Sequence, residues 1–254
     1  AYDNNICFAS IPDEMGLYIH IPFCQTFCPY CPYNKTIYNK DKSLKYQEAL
    51  LLELSLLKEH LGNKQITSIY VGGGTPTLMV EELVKVVAWI RENLTFRGDL
   101  GIEIYPHEID NNILTQLKRM GVNLVSIGVQ TFNDRQLRFL GRRYTGSEVR
   151  KTIELIKETD FECVDVDIMF NLPNQVLGDI ERDISICYEE NIDQISIYPL
   201  IIFPMTPLYK KVKEQGLHTF NSLQEYGILK SIEELSAKWD YDKTSIWTYG
   251  KRNA

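Results

Sequence analysis

Six times along this chain a short run of strand-forming residues gives way to an amphipathic stretch of helical period. The runs are residues 17–23, 66–71, 100–104, 124–129, 162–169 and 194–198. The helical stretches are 43–61, 81–92, 110–120, 133–140, 147–159 and 178–190, with two more at 207–215 and 223–238. In the first of them Leu44, Ala49, Leu50, Leu51, Leu54, Leu57 and Leu61 recur at helical spacing. Gly62 and Gly121 supply stops, and Asn133 and Ser147 are expected caps. Such alternation predicts a parallel sheet with helices outside it. Six units fall short of the eight of a closed barrel, so an open partial (β/α)6 barrel fits the count. A doubly wound sheet produces the same alternation. Residues 1–15 read as a lead-in, 16–215 as the core, and 216–254 as a C-terminal helix followed by the start of a further, truncated or missing domain. Residues 32–41 read as polar and turn-like, and 241–254 as the beginning of another strand or loop.

The first run leads into Cys24-Gln25-Thr26-Phe27-Cys28-Pro29-Tyr30-Cys31, three cysteines spaced C-x3-C-x2-C. Thiolates gathered this tightly hold metal. A structural zinc site closes with four ligands, and an electron-transfer [4Fe–4S] cluster takes four cysteines. Three cysteines can hold three irons of a cube and leave the fourth open to a small molecule. The competing reading is a zinc knob completed by His20 or His60. Cys163 and Cys187 lie among apolar neighbours and read as core cysteines, and Cys7 has no assigned role. This usage suits a reducing compartment, the cytoplasm, better than a disulfide framework.

With 254 residues, 44% of them apolar, the chain can bury a sizeable core. A net charge of −7 and the lack of a long basic block argue against nucleic acid as a partner. No apolar run reaches the length of a membrane span. The polar and glycine features fall at strand ends: Cys24, Gly72-Gly73-Gly74-Thr75, Glu103, Gln130 and Asp167. In barrels and open α/β sheets that rim is where ligands bind. Glycines there let backbone approach a ligand and free N–H groups to donate to it.

The Tyr18-Ile19-His20-Ile21-Pro22-Phe23 strand, the three-cysteine loop and Gly72-Gly73-Gly74-Thr75-Pro76-Thr77 together resemble the radical S-adenosylmethionine (SAM) superfamily. The likeness is to its oxygen-independent coproporphyrinogen III dehydrogenase-like branch, which also holds haem chaperones and class C methyltransferases or cyclopropanases. The resemblance implies the partial-barrel fold and a [4Fe–4S] cluster on Cys24, Cys28 and Cys31. It implies SAM bound at the open iron and cleaved to methionine and a 5′-deoxyadenosyl radical that takes hydrogen from a small organic substrate. Tyr18, Gly72, Gly73, Gly74, Thr75 and Glu103 would contact SAM, with Tyr30 shielding the cluster or the adenine. Gln130, Arg142 and Asp167 match positions that contact a second SAM, or else they brace the rim. An electron donor such as flavodoxin or ferredoxin is the implied partner.

Where the dehydrogenase carries a further cysteine two residues after the last ligand, this chain has Tyr33. That tilts the expectation toward methyl or methylene transfer, with tetrapyrrole oxidation and haem handling as the alternatives. The family continues into a C-terminal domain, whereas this chain stops soon after Trp247.

Overall fold

The computed structural model describes residues 12–252. Six parallel strands form its centre: β1 (Glu14–Ile21), β4 (Gln65–Gly73), β5 (Thr95–Ile104), β6 (Leu124–Gln130), β7 (Cys163–Phe170) and β8 (Gln194–Pro199). They neighbour one another in chain order, β1-β4-β5-β6-β7-β8. A doubly wound sheet would reverse its order midway. Sequential order with right-handed crossovers instead puts every helix on one side and leaves the other side concave. The fold is therefore the open partial barrel, and the ambiguity left by the alternating pattern is removed.

The helix layer comprises α1 (Lys40–Leu61), α2 (Val80–Asn93), α3 (Asn111–Met120), α4 (Asp134–Phe139), α5 (Gly146–Lys157), α6 (Leu177–Glu189), α7 (Pro207–Gln215) and α8 (Ser222–Lys238). The alternation within each strand explains the two faces. Ile19, Ile21, Ile69, Val71, Ile102, Ile104, Val125, Ile127, Val164, Val166, Ile168, Ile195 and Ile197 are buried in the main core. Their neighbours Tyr18, Tyr70, Glu103, Ser126, Asp165, Asp167 and Ser196 line the concave cavity. A strand sends successive side chains to opposite faces, so one period-2 pattern builds both the dry core and the polar interior.

Three boundaries differ from the sequence reading. Residues 32–41 are not all turn: β3 (Thr36–Ile37) pairs with β2 (Phe23–Cys24). The cysteine loop is thereby clamped at both ends, with Thr36 N–H donating to Pro22 O at 2.7 Å and Tyr38 N–H to Cys24 O at 2.9 Å. The cap of α5 is Thr145, not Ser147; its hydroxyl accepts from Glu148 N–H while Glu148 answers to Thr145 N–H. Ser147 lies inside the first turn because Gly146 can already pack tightly on Phe132 O. The stretch 241–251 forms β9 (Tyr241–Lys243) and β10 (Thr248–Lys251), an antiparallel hairpin that adds to the edge of β8. Asn133 does cap α4, accepting from Arg135 and Gln136 N–H. Cys187 is fully buried, whereas Cys163, at the start of β7, is only half-buried. Cys7 lies outside the described residues.

Candidate functional site

The C-terminal ends of the parallel strands open into one cavity of 890 Å³. It is lined by all three loop cysteines and by Gly73, Gly74, Thr75, Glu103, Gln130, Arg142 and Asp167. Tyr18 and Tyr30 line it too. Gly72 stands one residue back on β4, where a Cβ would meet Glu103 Oε1 at 2.7 Å. The rim residues read from sequence are thus brought together by the fold.

The cysteine loop is half-buried, and its three thiols are free. Cys28 and Cys31 pack against a small apolar cluster of Tyr30, Leu140, Met169, Leu172, Leu200 and Leu208. Outer contacts hold the loop in place: Leu208 N–H, at the start of α7, donates to Pro29 O at 2.9 Å. Burial pushes the Cys24 thiol up to about 11, and the neighbouring Cys28 and Cys31 add to the shift. A buried thiol crowded by two others, as Cys24 is, becomes a stable thiolate only around a compensating cation or metal core. Among the described residues no three His, Cys, Asp or Glu side chains are gathered as ligands of one metal ion. The donor set, three sulfurs on an apolar-backed loop facing a large cavity, fits an iron–sulfur cluster with one open iron, and among the described residues no fourth ligand stands beside it to close a zinc site. His20 is engaged elsewhere: its ring nitrogens pair with Tyr18 Oη at 3.2 Å and Asn34 O at 3.0 Å.

The glycine stretch works differently from the sequence expectation. Gly73 N–H donates to Glu103 Oε2 at 2.9 Å. Gly74 N–H donates to Ile21 O at 2.6 Å and Thr75 N–H to Phe23 O at 2.7 Å. These amides are used within the protein, so the glycines serve close approach. A Cβ at Gly74 would sit 2.4 Å from Phe23 O and 2.8 Å from Cys24 Sγ. Gly73 has φ +121 and would place a Cβ 2.6 Å from Ile21 O. The β4 turn is pressed directly onto the cysteine loop. Glu103 lines the cavity, and burial lifts its carboxyl above the usual range, against the pull of the Gly73 amide.

The second set occupies the opposite wall. Gln130 is buried at φ 72, a left-handed conformation costly for a residue with a side chain. Its Oε1 accepts from Tyr198 Oη at 3.2 Å. Arg142 donates to Tyr30 Oη and lies over the rings of Tyr30, Tyr105 and Tyr144 at 5.8, 5.1 and 5.9 Å. Its Nε is buried without a partner. Asp167 accepts from Ser126 Oγ at 3.3 Å, and burial with the neighbouring Asp165 and Glu103 carboxylates holds it well above the ordinary carboxylate range. These residues do brace the rim, yet the guanidinium keeps one donor unspent.

Sequence reasoning passed over Asp165, Ser196, Tyr198 and Trp247, which also line the cavity. Asp165 was within reach, since i and i+2 on a strand share a face with Asp167. Trp247 was not, because its place depends on the hairpin. Tyr33, where the dehydrogenase carries a cysteine, is 70% exposed at the mouth.

A family model described as the radical SAM superfamily matches residues 18–186. The heme chaperone HemW of Bacillus subtilis is 34% identical over 89% of this chain and 61% of its own length. An oxygen-independent coproporphyrinogen III oxidase of Pseudomonas aeruginosa is 31% identical over 72% of this chain and 42% of its own. The solved structure of coproporphyrinogen III oxidase (HemN) from Escherichia coli superposes with a TM-score of 0.87 at 24% identity, covering 97% of this chain and 58% of that one. The chain thus spans between about two fifths and three fifths of these relatives' lengths.

Proposed function

This chain belongs to the radical SAM superfamily, whose members use a [4Fe–4S] cluster and SAM, and on that premise we propose that it is the SAM-cleaving core of an enzyme acting on a small organic substrate. The observation that carries the reading is convergence: the three thiols, the Gly72–Glu103 corner and the Gln130–Arg142–Asp167 wall all meet in one cavity. Ligand pockets commonly span roughly 300–1,000 Å³, and 890 Å³ has room for more than one small molecule.

Cys24, Cys28 and Cys31 would hold the cluster, which when loaded supplies the single electron that splits SAM and starts hydrogen abstraction from carbon. The rest is the work of the chain's own groups. Gly73, Gly74 and Thr75 have spent their amides, so the turn offers a ligand ammonium carbonyl oxygens rather than N–H donors. Glu103, anchored by the Gly73 amide, would accept from ribose hydroxyls. Tyr18, 57% exposed, stands at the mouth above that corner. Arg142, which lines the cavity, offers its guanidinium charge to a carboxylate, and Gln130 is held rigid to read a neighbouring polar group. A second SAM on this wall, and with it methyl or methylene transfer, is the finer form of the proposal. An external one-electron donor completes the scheme. No described helix is long and apolar enough to cross a membrane.

The likeness to the heme chaperone HemW of Bacillus subtilis favours one second reading, a heme chaperone core. One experiment separates the two. The reconstituted chain is given SAM and dithionite, and in parallel is titrated with haem. Formation of 5′-deoxyadenosine supports the enzyme. Tight haem binding without that product supports the chaperone, and neither result on an intact cluster overturns both.

A further inference from the structure

Two side chains of fixed positive charge line the cavity, Lys35 and Arg142. Among the described residues neither forms an ion pair with a carboxylate. The Arg142 charge is spread over a planar group enclosed by three tyrosine rings. Lys35 is different. It follows the last loop cysteine by four residues and folds back over the loop, so that its Nζ donates to Cys31 O and, at 3.5 Å, to Tyr33 O. The ammonium lies 5.7 Å from the Phe27 ring centroid. A lysine ammonium is a compact point charge, and here it is fastened to the backbone that carries the cysteines.

We infer that Lys35 sets the reduction potential of the cluster held by this loop. Three thiolates bring three negative charges, and taking up one electron adds another. A half-buried cation with no carboxylate to offset it favours the more negative, reduced state. Lys35 makes its two hydrogen bonds to carbonyls of the loop, so the charge stays in place while the metal group changes its own. The role concerns how readily the cluster accepts an electron, and it holds for an enzyme and for a chaperone alike. It rests on the loop being the cluster ligand set, and not on SAM cleavage.

The test uses the whole chain, reconstituted anaerobically with iron and sulfide, in four forms: wild type, Lys35→Gln, Lys35→Arg and Asn34→Asp. Each is poised with redox mediators without SAM, and the reduced cluster is counted by electron paramagnetic resonance. Lys35→Gln can still donate to the Cys31 carbonyl but has no charge, and its midpoint should fall below the wild-type value. Lys35→Arg should stay close to wild type. Asn34→Asp leaves Lys35 untouched and places a carboxylate beside it, so its midpoint should fall as well; this variant decides the matter if Lys35→Gln does not assemble. Coincident midpoints at equal iron and sulfide loading overturn this inference alone, as does a fall in Lys35→Arg as large as in Lys35→Gln. A wild-type chain that takes up no iron and sulfide overturns the cluster reading and this inference with it.

Discussion

Gly74 packs where no side chain can follow. Its backbone N–H is tied to Ile21 O, and the space a Cβ needs is already filled by Phe23 O and Cys24 Sγ. A Gly74→Ala chain must therefore push the cysteine loop away from β4, and overpacking of that kind costs about 1–3 kcal/mol. The expected outcome is a lower urea midpoint together with reduced iron and sulfide retention. Full loading at an unchanged midpoint would show that the loop is softer than its contacts suggest. Arg142 shows the other kind of constraint at this scale. Its position follows a family pattern, but Tyr30 and Tyr105 reach its cage from distant parts of the chain to join the neighbouring Tyr144, a combination that no local pattern reports.

Between elements, α6 holds the turn that aims Gln130. Asp183, buried on α6, accepts from Thr131 Oγ1 at 2.6 Å and from Phe132 N–H at 2.9 Å, immediately after the strained Gln130 backbone. Thr131 has one hydroxyl proton and two acceptors in reach, Asp183 and, at 3.1 Å, Gln136 Oε1. A protonated Asp183 resolves the shortage by donating to Thr131, which frees the hydroxyl for Gln136. Burial pushes this carboxyl up to about 6, from an ordinary 3.8. The folded state thus holds the proton more tightly than the unfolded one. Its stabilisation is full below about pH 4 and is lost as the pH rises through 6, amounting to roughly 3 kcal/mol. Asp183→Asn keeps the acceptor for Phe132 and supplies a permanent donor for Thr131. Urea midpoints measured from pH 4 to pH 8 should fall less steeply for this variant than for wild type. Parallel slopes would show that Asp183 is ionised throughout.

Across the whole molecule, the open side of the barrel is finished by the C-terminal hairpin. Ile197 N–H donates to Trp247 O at 2.7 Å, and the Trp247 indole meets Phe170 at 6.2 Å between ring centroids. Tyr241 packs on Tyr188 at 4.6 Å and donates to Ile192 O. A chain ending after α8 would expose the β8 ladder and open the cavity wall that Trp247 forms. Unpaired edges of this kind promote association. The shortened chain should therefore unfold at lower urea and sediment partly as oligomer, while the cysteine loop, joined to β1 at the opposite edge of the sheet, still takes up iron. Monodisperse behaviour at an unchanged midpoint would show the hairpin to be dispensable.

What the sequence determined by itself was periodic or local. The strand alternation, the helix caps at Asn133 and the C-x3-C-x2-C spacing all depend on neighbours a few residues apart, so they are readable without a fold. Gly72-Gly73-Gly74-Thr75 announced a close approach, but the partner was out of view, and the amides of Gly73, Gly74 and Thr75 proved to be engaged with Glu103, Ile21 and Phe23 rather than left for a ligand. Barrel or doubly wound sheet was decided only by strand order, which is a matter of which distant strands exchange hydrogen bonds. The same holds for β3 and Trp247. Each depends on long-range contacts that bring remote groups within a few ångströms, and electrostatics and packing act over that distance rather than along the chain.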